Sequence, residues 1–228
     1  MQNSAAFITC AVLGAVALTA TDDAQRFYST TTRYAQMLLP FPTPAQKLRP
    51  ATAFATALTQ AAKAQIGVTV SYDPAYVGLA YPMGDTARSR GIGSDVVIRA
   101  LRDAHDIDLQ HLVHNDIKRA FNAYPKLWDR TLPDTNIDHR RVPNLETYFA
   151  RHGMAQATSA NPADFQPGDI VTWRLPGDRP HIGIISRSLS SAGTPLILHN
   201  IGNGAEASDI LFHYPIVHHF HPTAAQFK

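Results

Sequence analysis

Cysteine is nearly absent from this sequence: Cys10 is the single one among 228 residues. A lone cysteine cannot close an intrachain disulfide and supplies only one thiolate ligand, which excludes a disulfide framework and a multi-cysteine metal site. Charged residues make up 17% of the chain and hydrophobic residues 45%, a composition that indicates a folded domain rather than a disordered one. A chain of this length can bury one full core.

The sequence also lacks an excess of either charge. Its 20 basic and 18 acidic residues give a formal charge of +2, and no basic stripe stands out. We therefore predict no nucleic-acid partner. The C-terminal histidines are His213, His218, His219 and His221. Of these, His219 and His221 would share one face of a strand, but we find no carboxylate or cysteine to complete a ligand set. We predict surface histidines, with no metal and no cofactor.

The N-terminus carries no charge over residues 5–20, and Ala15-Val16-Ala17 fits the small-x-small pattern of signal cleavage. Residues 1–9 lack lysine and arginine, so a buried or frayed helix is the alternative. We predict a signal peptide over residues 1–20 and export to the bacterial periplasm or cell envelope. Its removal would leave a mature chain without any thiol.

Prolines punctuate residues 21–50, which predicts a linker or N-terminal arm before a single domain over residues 51–228. The pattern predicts helices over residues 51–66, from Ser94 or Asp95 through Leu101, over 108–122 and from Pro143 to Gly153, with Ser94 as the favoured N-cap. Short apolar runs predict strands over residues 170–173, 181–186, 196–201, 210–214 and 216–220. Helices followed by antiparallel strands predict an α+β fold.

Two successive predicted strands carry histidines, His181 at the start of one and His199 at the end of the next. If these strands are adjacent and antiparallel, they bring the two side chains together. Amide hydrolysis by a thiol needs a thiolate at a helix N-terminus, a histidine base and a third polar group that orients this base. Position 93 lies at a predicted helix start. Spacing alone leaves open that each histidine is structural.

Longer blocks of the sequence carry a family resemblance. Pro167-Gly168-Asp169-Ile170-Val171-Thr172-Trp173 and Pro180-His181-Ile182-Gly183-Ile184 are two of them. The other blocks are residues 65–69, 72–77, 81–85, 108–110, 112–114, 136–145 and 199–202. In these blocks the chain resembles the YijF-like bacterial family, which is related to the NlpC-type papain-like hydrolases of the cell wall. The resemblance covers about residues 57–218.

The resemblance implies a papain-like fold, with a helical N-terminal half packed on an antiparallel sheet, and cleavage of an amide bond in the peptidoglycan stem peptide. It assigns the general base to His181 and the orienting residue to His199, with Asn200 as its rival. The family's nucleophilic cysteine corresponds to Gly93. A glycine cannot attack a carbonyl, so we expect this chain to bind substrate and turn it over slowly or not at all.

Neighbouring residues do not replace the missing nucleophile. Ser94 leaves the helix about 100° away from position 93. The Gly91-x-Gly93 pair lacks the third glycine and preceding strand of a phosphate-binding fingerprint. The glycine is either a natural loss or a deliberate substitution.

Substrate contacts are predicted at an aromatic and a charged group of residues. Tyr72 and Tyr81 could line a groove, although core packing explains each equally well. Asp138, Arg140 and Arg141 could hold a carboxylate of an acidic stem peptide, or they could form a solvated loop held by ion pairs. Two alternatives to an inactive hydrolase stay open: a non-catalytic binding module of the cell envelope, and an interbacterial toxin with a protein inhibitor as partner.

Overall fold

The computed structural model describes residues 50–129 and 131–227 of the chain. By its contacts the chain divides between Ala45 and Gln46, and all described residues belong to the second unit. The predicted signal peptide over residues 1–20 and all but the last residue of the predicted arm over 21–50 lie outside the described residues. They stay predictions. Among the described residues, no helix is both long enough and apolar enough to cross a bilayer.

Within residues 50–129 and 131–227, four α-helices precede the main sheet. They are α1 (Ala53–Lys63), α2 (Gly93–His105), α3 (Leu109–Arg119) and α4 (Val142–Arg151). Local capping sets three of these starts, because Thr52 accepts a hydrogen bond from the Ala55 amide, Asp108 accepts one from Gln110, and Pro143 occupies the first turn of α4. All four helices lie close to their predicted positions.

Eight β-strands accompany these helices in the described residues. The strands are β1 (Ser71–Tyr72), β2 (Arg90–Gly91), β3 (Ala155–Gln156), β4 (Ile170–Leu175), β5 (Arg179–Leu189), β6 (Pro195–His199), β7 (Glu206–Ser208) and β8 (Ile216–Phe220). The first two form a small parallel pair, and the others form an antiparallel sheet in the order β3-β8-β4-β5-β6-β7. The α+β prediction is therefore confirmed.

One predicted strand is wrong. Residues 210–214 form a turn, closed by a hydrogen bond from the His213 amide to the Ile210 carbonyl, and the strand lies earlier at β7. The apolar run has another role, because Leu211 is fully buried and its carbonyl accepts a hydrogen bond from Trp173. The buried residue of this turn makes the sequence apolar there, and the resulting pattern resembles that of a strand.

The sheet separates two apolar clusters, because side chains of a strand alternate between its faces. Ile182, Ile184 and Leu198 belong to the larger cluster, together with residues of all four helices. Ile185 and Ile197 belong to a smaller cluster of Phe165, Val171, Trp173 and Leu211. Helix α2 packs on α1 and on β5, and its first residue therefore lies against the histidine-bearing strands.

Candidate active site

Helix α2 begins at Gly93, one residue before the first predicted start. The carboxylate of Asp95, not the side chain of Ser94, caps this end by accepting a hydrogen bond from the Ile92 amide at 2.8 Å. The same carboxylate receives two 2.9 Å hydrogen bonds from the guanidinium of Arg140, and both residues are buried. This ion pair fixes the helix terminus at position 93.

Strand register brings the two predicted histidines together. Ile184 pairs with Leu198, so Gly183 lies opposite His199, and His181 lies diagonally across from it. A Cβ at Gly183 would lie 3.1 Å from the Cβ of His199 and 2.5 Å from a methyl group of Ile197. Because Gly183 has no side chain, the His181 ring can reach His199, with 3.0 Å between Nε2 of His181 and Nδ1 of His199.

The other nitrogen of His181 faces position 93. A Cβ built on Gly93 would lie 3.1 Å from Nδ1 of His181, 3.0 Å from Cε1 of the same ring, and 3.0 Å from the Ile182 carbonyl oxygen. Residue 93, His181 and His199 therefore form a series in the order that a nucleophile, its base and the orienting group require. A side chain at position 93 fits only if the His181 ring moves by a few tenths of an ångström.

Burial keeps both imidazoles neutral. Burial lowers the pKa of His181 to about 3, with the proximity of His199 and Arg179 adding to the shift, and burial lowers the pKa of His199 to about 4. The side chain of Trp173, fully buried, packs near the His181 ring with 5.8 Å between ring centroids. At neutral pH His181 therefore holds a free lone pair, as a general base must.

Two neighbours of this series have structural roles. The hydroxyl of Ser94 is buried and donates a 2.7 Å hydrogen bond to the Arg140 carbonyl, so the predicted N-cap role of Ser94 is wrong. The amide of Asn200 donates to the carbonyls of Gly91, at 2.9 Å, and Ser71, at 3.2 Å. Of the two residues predicted to orient His181, it is His199 that makes the hydrogen bond, while Asn200 holds the segment before Gly93.

The residues predicted to bind a carboxylate already contact other parts of the protein. Arg140 is 3% exposed, and its guanidinium donates hydrogen bonds to the Asp95 carboxylate and to the Ala75 carbonyl. Asp138 is also buried and accepts a hydrogen bond from the Asp134 amide. Arg141 pairs with Asp138 at 3.4 Å and lies over the ring of Trp128 at 4.0 Å. These residues hold the loop before α4, which corrects the substrate role predicted for them.

The two predicted tyrosines are accessible but lie in different surroundings. Tyr72 is 44% exposed on β1 and pairs with Gly91, two residues before Gly93. Tyr81 is 40% exposed, and its hydroxyl lies 3.0 Å from Nδ1 of His111 on α3. Partial burial and the charge of Asp108 raise the pKa of Tyr81. Of the two, Tyr72 is tied by strand pairing to the segment that leads into position 93.

Some contacts of the site could not be predicted from the sequence. The Asp95–Arg140 pair spans 45 residues, and Ser208 lies 2.6 Å from Nε2 of His199 in a segment without any motif. The acidic residue at a first helical turn was the only signal available for Asp95. No comparable signal marks Ser208.

The C-terminal histidines also require a correction. His219 is 4% exposed rather than on the surface, and a carboxylate does lie beside it. Asp169 has its two oxygens 2.6 Å from Nε2 of His219 and 2.6 Å from Nδ1 of His221. In the part of the chain that the structure describes, no group of histidine, cysteine, aspartate and glutamate is arranged to hold a metal ion.

The chain thus has an α+β fold in which a helix start faces a histidine pair. Residues 59–221 match the family model described as "Domain of unknown function (DUF1287)", and the chain belongs to this family. It is 54% identical over 164 residues to the "Uncharacterized protein YijF" of Escherichia coli strain K12, which covers 72% of this chain and 80% of that relative.

A solved structure is also similar in outline. NlpC1 from Trichomonas vaginalis aligns over 78% of this chain with a TM-score of 0.39 and 14% identity. The alignment covers 47% of that structure, so this chain spans about half the length of the protein it matches.

Proposed function

We propose that this chain has the site of a papain-like cysteine amidase or endopeptidase directed at an amide bond of peptidoglycan, with the nucleophile position occupied by Gly93. One observation carries the proposal. Position 93, at the N-terminus of α2, faces Nδ1 of a buried, neutral His181 whose Nε2 contacts His199. As it stands, we expect the chain to bind this substrate class and to turn it over slowly or not at all.

The chemistry follows from the geometry once a thiol is present at position 93. Nδ1 of His181 takes the thiol proton, and the thiolate is favoured by the helix N-terminus. The thiolate forms a bond to the amide carbonyl carbon, and the imidazolium then gives its proton to the departing amine nitrogen as the C–N bond breaks. Water, deprotonated by His181, attacks the thioester and releases the acid and the thiol.

Peptidoglycan as substrate, and export to the cell envelope, rest on the resemblance to NlpC-type cell-wall hydrolases. The exposed Tyr72, next to the segment before Gly93, is the proposed substrate-binding residue nearest to the site. The mechanism uses a thiol at position 93, the two histidines and a water molecule.

The experiment compares the chain with its Gly93→Cys variant on purified peptidoglycan, reading soluble fragments by mass spectrometry. We expect fragments only from the variant, and their masses identify the bond that is cut. The matched control combines Gly93→Cys with His181→Ala, which keeps the thiol and removes the base. Release by both variants, or by neither, contradicts the proposed mechanism.

A non-catalytic binding module is the second candidate function, and the close packing around Gly93 favours it. The space that a side chain would need at position 93 is partly taken by the His181 ring and the Ile182 carbonyl. If the unmodified chain sediments with peptidoglycan while Gly93→Cys releases nothing, this second function replaces the first.

A further inference from the structure

The side of His199 that faces away from His181 contacts strand β7. His199 pairs with Glu206 across the two strands, and Ile197 pairs with Ser208. Glu206 and Ser208 therefore lie on the sheet face that carries His199. Nε2 of His199 lies 2.6 Å from Oγ of Ser208 and 3.6 Å from a carboxylate oxygen of Glu206. Both ring nitrogens of this fully buried histidine are thus engaged.

The hydrogen bonds through His199 determine which nitrogen of His181 carries a proton. A neutral imidazole has one N–H donor and one bare nitrogen. For His181 to act as base, Nδ1 must be bare and Nε2 must donate to Nδ1 of His199. His199 then holds its own proton on Nε2 and donates it to Oγ of Ser208. Every contact in this arrangement pairs one donor with one acceptor.

The reverse arrangement would disable the base. If the Ser208 hydroxyl donated to Nε2 of His199, Nδ1 of His199 would carry the proton and donate to Nε2 of His181. Nδ1 of His181 would then present a hydrogen to position 93 and could not accept a proton. The carboxylate of Glu206, 3.6 Å from Nε2 of His199, attracts a proton to that nitrogen and so opposes the reverse arrangement.

We propose that Ser208 is a positioning residue, supported by Glu206, that holds His199 in the Nε2-protonated tautomer and thereby keeps Nδ1 of His181 bare. The inference rests on the proposed function, since a bare Nδ1 serves catalysis only if a nucleophile belongs at position 93. The tautomers themselves exist in the unmodified chain, and they can be measured without any activity.

The first test reads ring-nitrogen shifts by two-dimensional ¹H–¹⁵N NMR on the full chain labelled at histidine. We expect Nδ1 of His181 to be bare and Nε2 of His199 to be protonated. Ser208→Ala should convert the pair to a mixture of tautomers, whereas Ser208→Thr, which keeps the hydroxyl, should preserve the original shifts. Ser188→Ala, an exposed serine on β5, is the matched control.

A protonated Nδ1 on His181 in the unmodified chain would overturn the proposal, as would unchanged tautomers in Ser208→Ala. Circular dichroism and amide shifts identify any variant that fails to fold, and Ser208→Thr then still tests whether the hydroxyl preserves the tautomer.

The second test places the same substitutions in the Gly93→Cys background. Ser208→Ala should lower kcat by about tenfold with little change in KM, by analogy with other residues that orient a functional histidine, and Ser208→Thr should recover most of it. Equal kcat in all three variants would contradict the positioning role. If Gly93→Cys is inactive, the proposed function fails while the NMR result still decides the tautomer claim.

Discussion

Two histidine clusters lie at the main sheet and differ in how a carboxylate contacts them. His181 bonds to His199, and His199 bonds to Ser208, while the carboxylate of Glu206 lies 3.6 Å from Nε2 of His199. His219 and His221 instead bond to both oxygens of Asp169, a carboxylate that is 1% exposed. The carboxylate fixes the second cluster from its centre, since it also accepts a hydrogen bond from the Gln166 amide.

The first cluster keeps an imidazole nitrogen directed at a helix start, and the second does not. Nδ1 of His181 faces position 93, while Nδ1 of His219 lies 3.4 Å from the Ala157 carbonyl oxygen. Burial lowers the pKa of both imidazoles of the first cluster, with nearby His199 and Arg179 adding to the shift for His181, and a neutral imidazole has a lone pair available. We therefore expect chemistry at the first cluster and a structural role for the second.

The largest expected effect separates the clusters by activity. In the Gly93→Cys background, His181→Ala should reduce fragment release from peptidoglycan by about 10⁴-fold or more, because the nucleophile loses its base. His219→Ala should leave kcat nearly unchanged in whatever fraction of the protein folds. Mass spectrometry of released fragments, normalised to folded protein, measures both. A comparable loss in the two variants would remove the distinction.

The next effect is on stability, and we expect it to be larger in the second cluster than in the first. Asp169→Ala leaves two histidines and the Gln166 amide without their acceptor, which should cost about 2–4 kcal/mol of unfolding free energy. Ser208→Ala should cost about 1 kcal/mol, the value of one hydrogen bond. Urea denaturation followed by circular dichroism measures both. Equal losses would indicate that Ser208 is as structural as Asp169.

Sequence patterns located the helices and both histidines of the site, because helix periodicity and strand-like runs are local features. They did not decide between His199 and Asn200, since adjacent residues of a strand point to opposite sides and the facing side depends on register. They misassigned residues 210–214 because Leu211 is buried by a turn. They leave Arg140 between a carboxylate-binding role and an ion-paired loop, because its partner Asp95 is 45 residues away.

Acid should weaken the fold through the first cluster. The pKa values of His181 and His199 lie at about 3 and about 4 in the folded chain, below the ordinary value of about 6.5. The unfolded chain therefore binds more protons between these values, and stability falls as pH drops below about 6.5. Between pH 7 and pH 5 the loss should approach about 2 kcal/mol for each histidine.

Urea denaturation at pH 7 and pH 5 checks this dependence. The double variant His181→Gln, His199→Gln should lose less stability over the same interval than the unmodified chain does. An identical loss in both proteins would show that other groups cause the acid sensitivity.

The smallest effect concerns the space at position 93. A Cβ there lies 3.0 Å from the His181 ring and from the Ile182 carbonyl oxygen, so Gly93→Ala should cost about 1 kcal/mol of unfolding free energy, as mild overpacking does. Gly67→Ala is not a suitable control because Gly67 has a positive φ. Gly202→Ala is suitable, since its Cβ meets open space. Stabilisation by Gly93→Ala would contradict the close packing of His181.

The most direct test of the central claim measures thiol reactivity without any substrate. In Gly93→Cys combined with Cys10→Ala, iodoacetamide should alkylate the introduced thiol with an apparent pKa well below the free value of about 8.5. Adding His181→Ala should move that pKa upward, because the base facing position 93 is gone. If the pH profile of alkylation is the same with and without His181, the two positions do not form a nucleophile and its base.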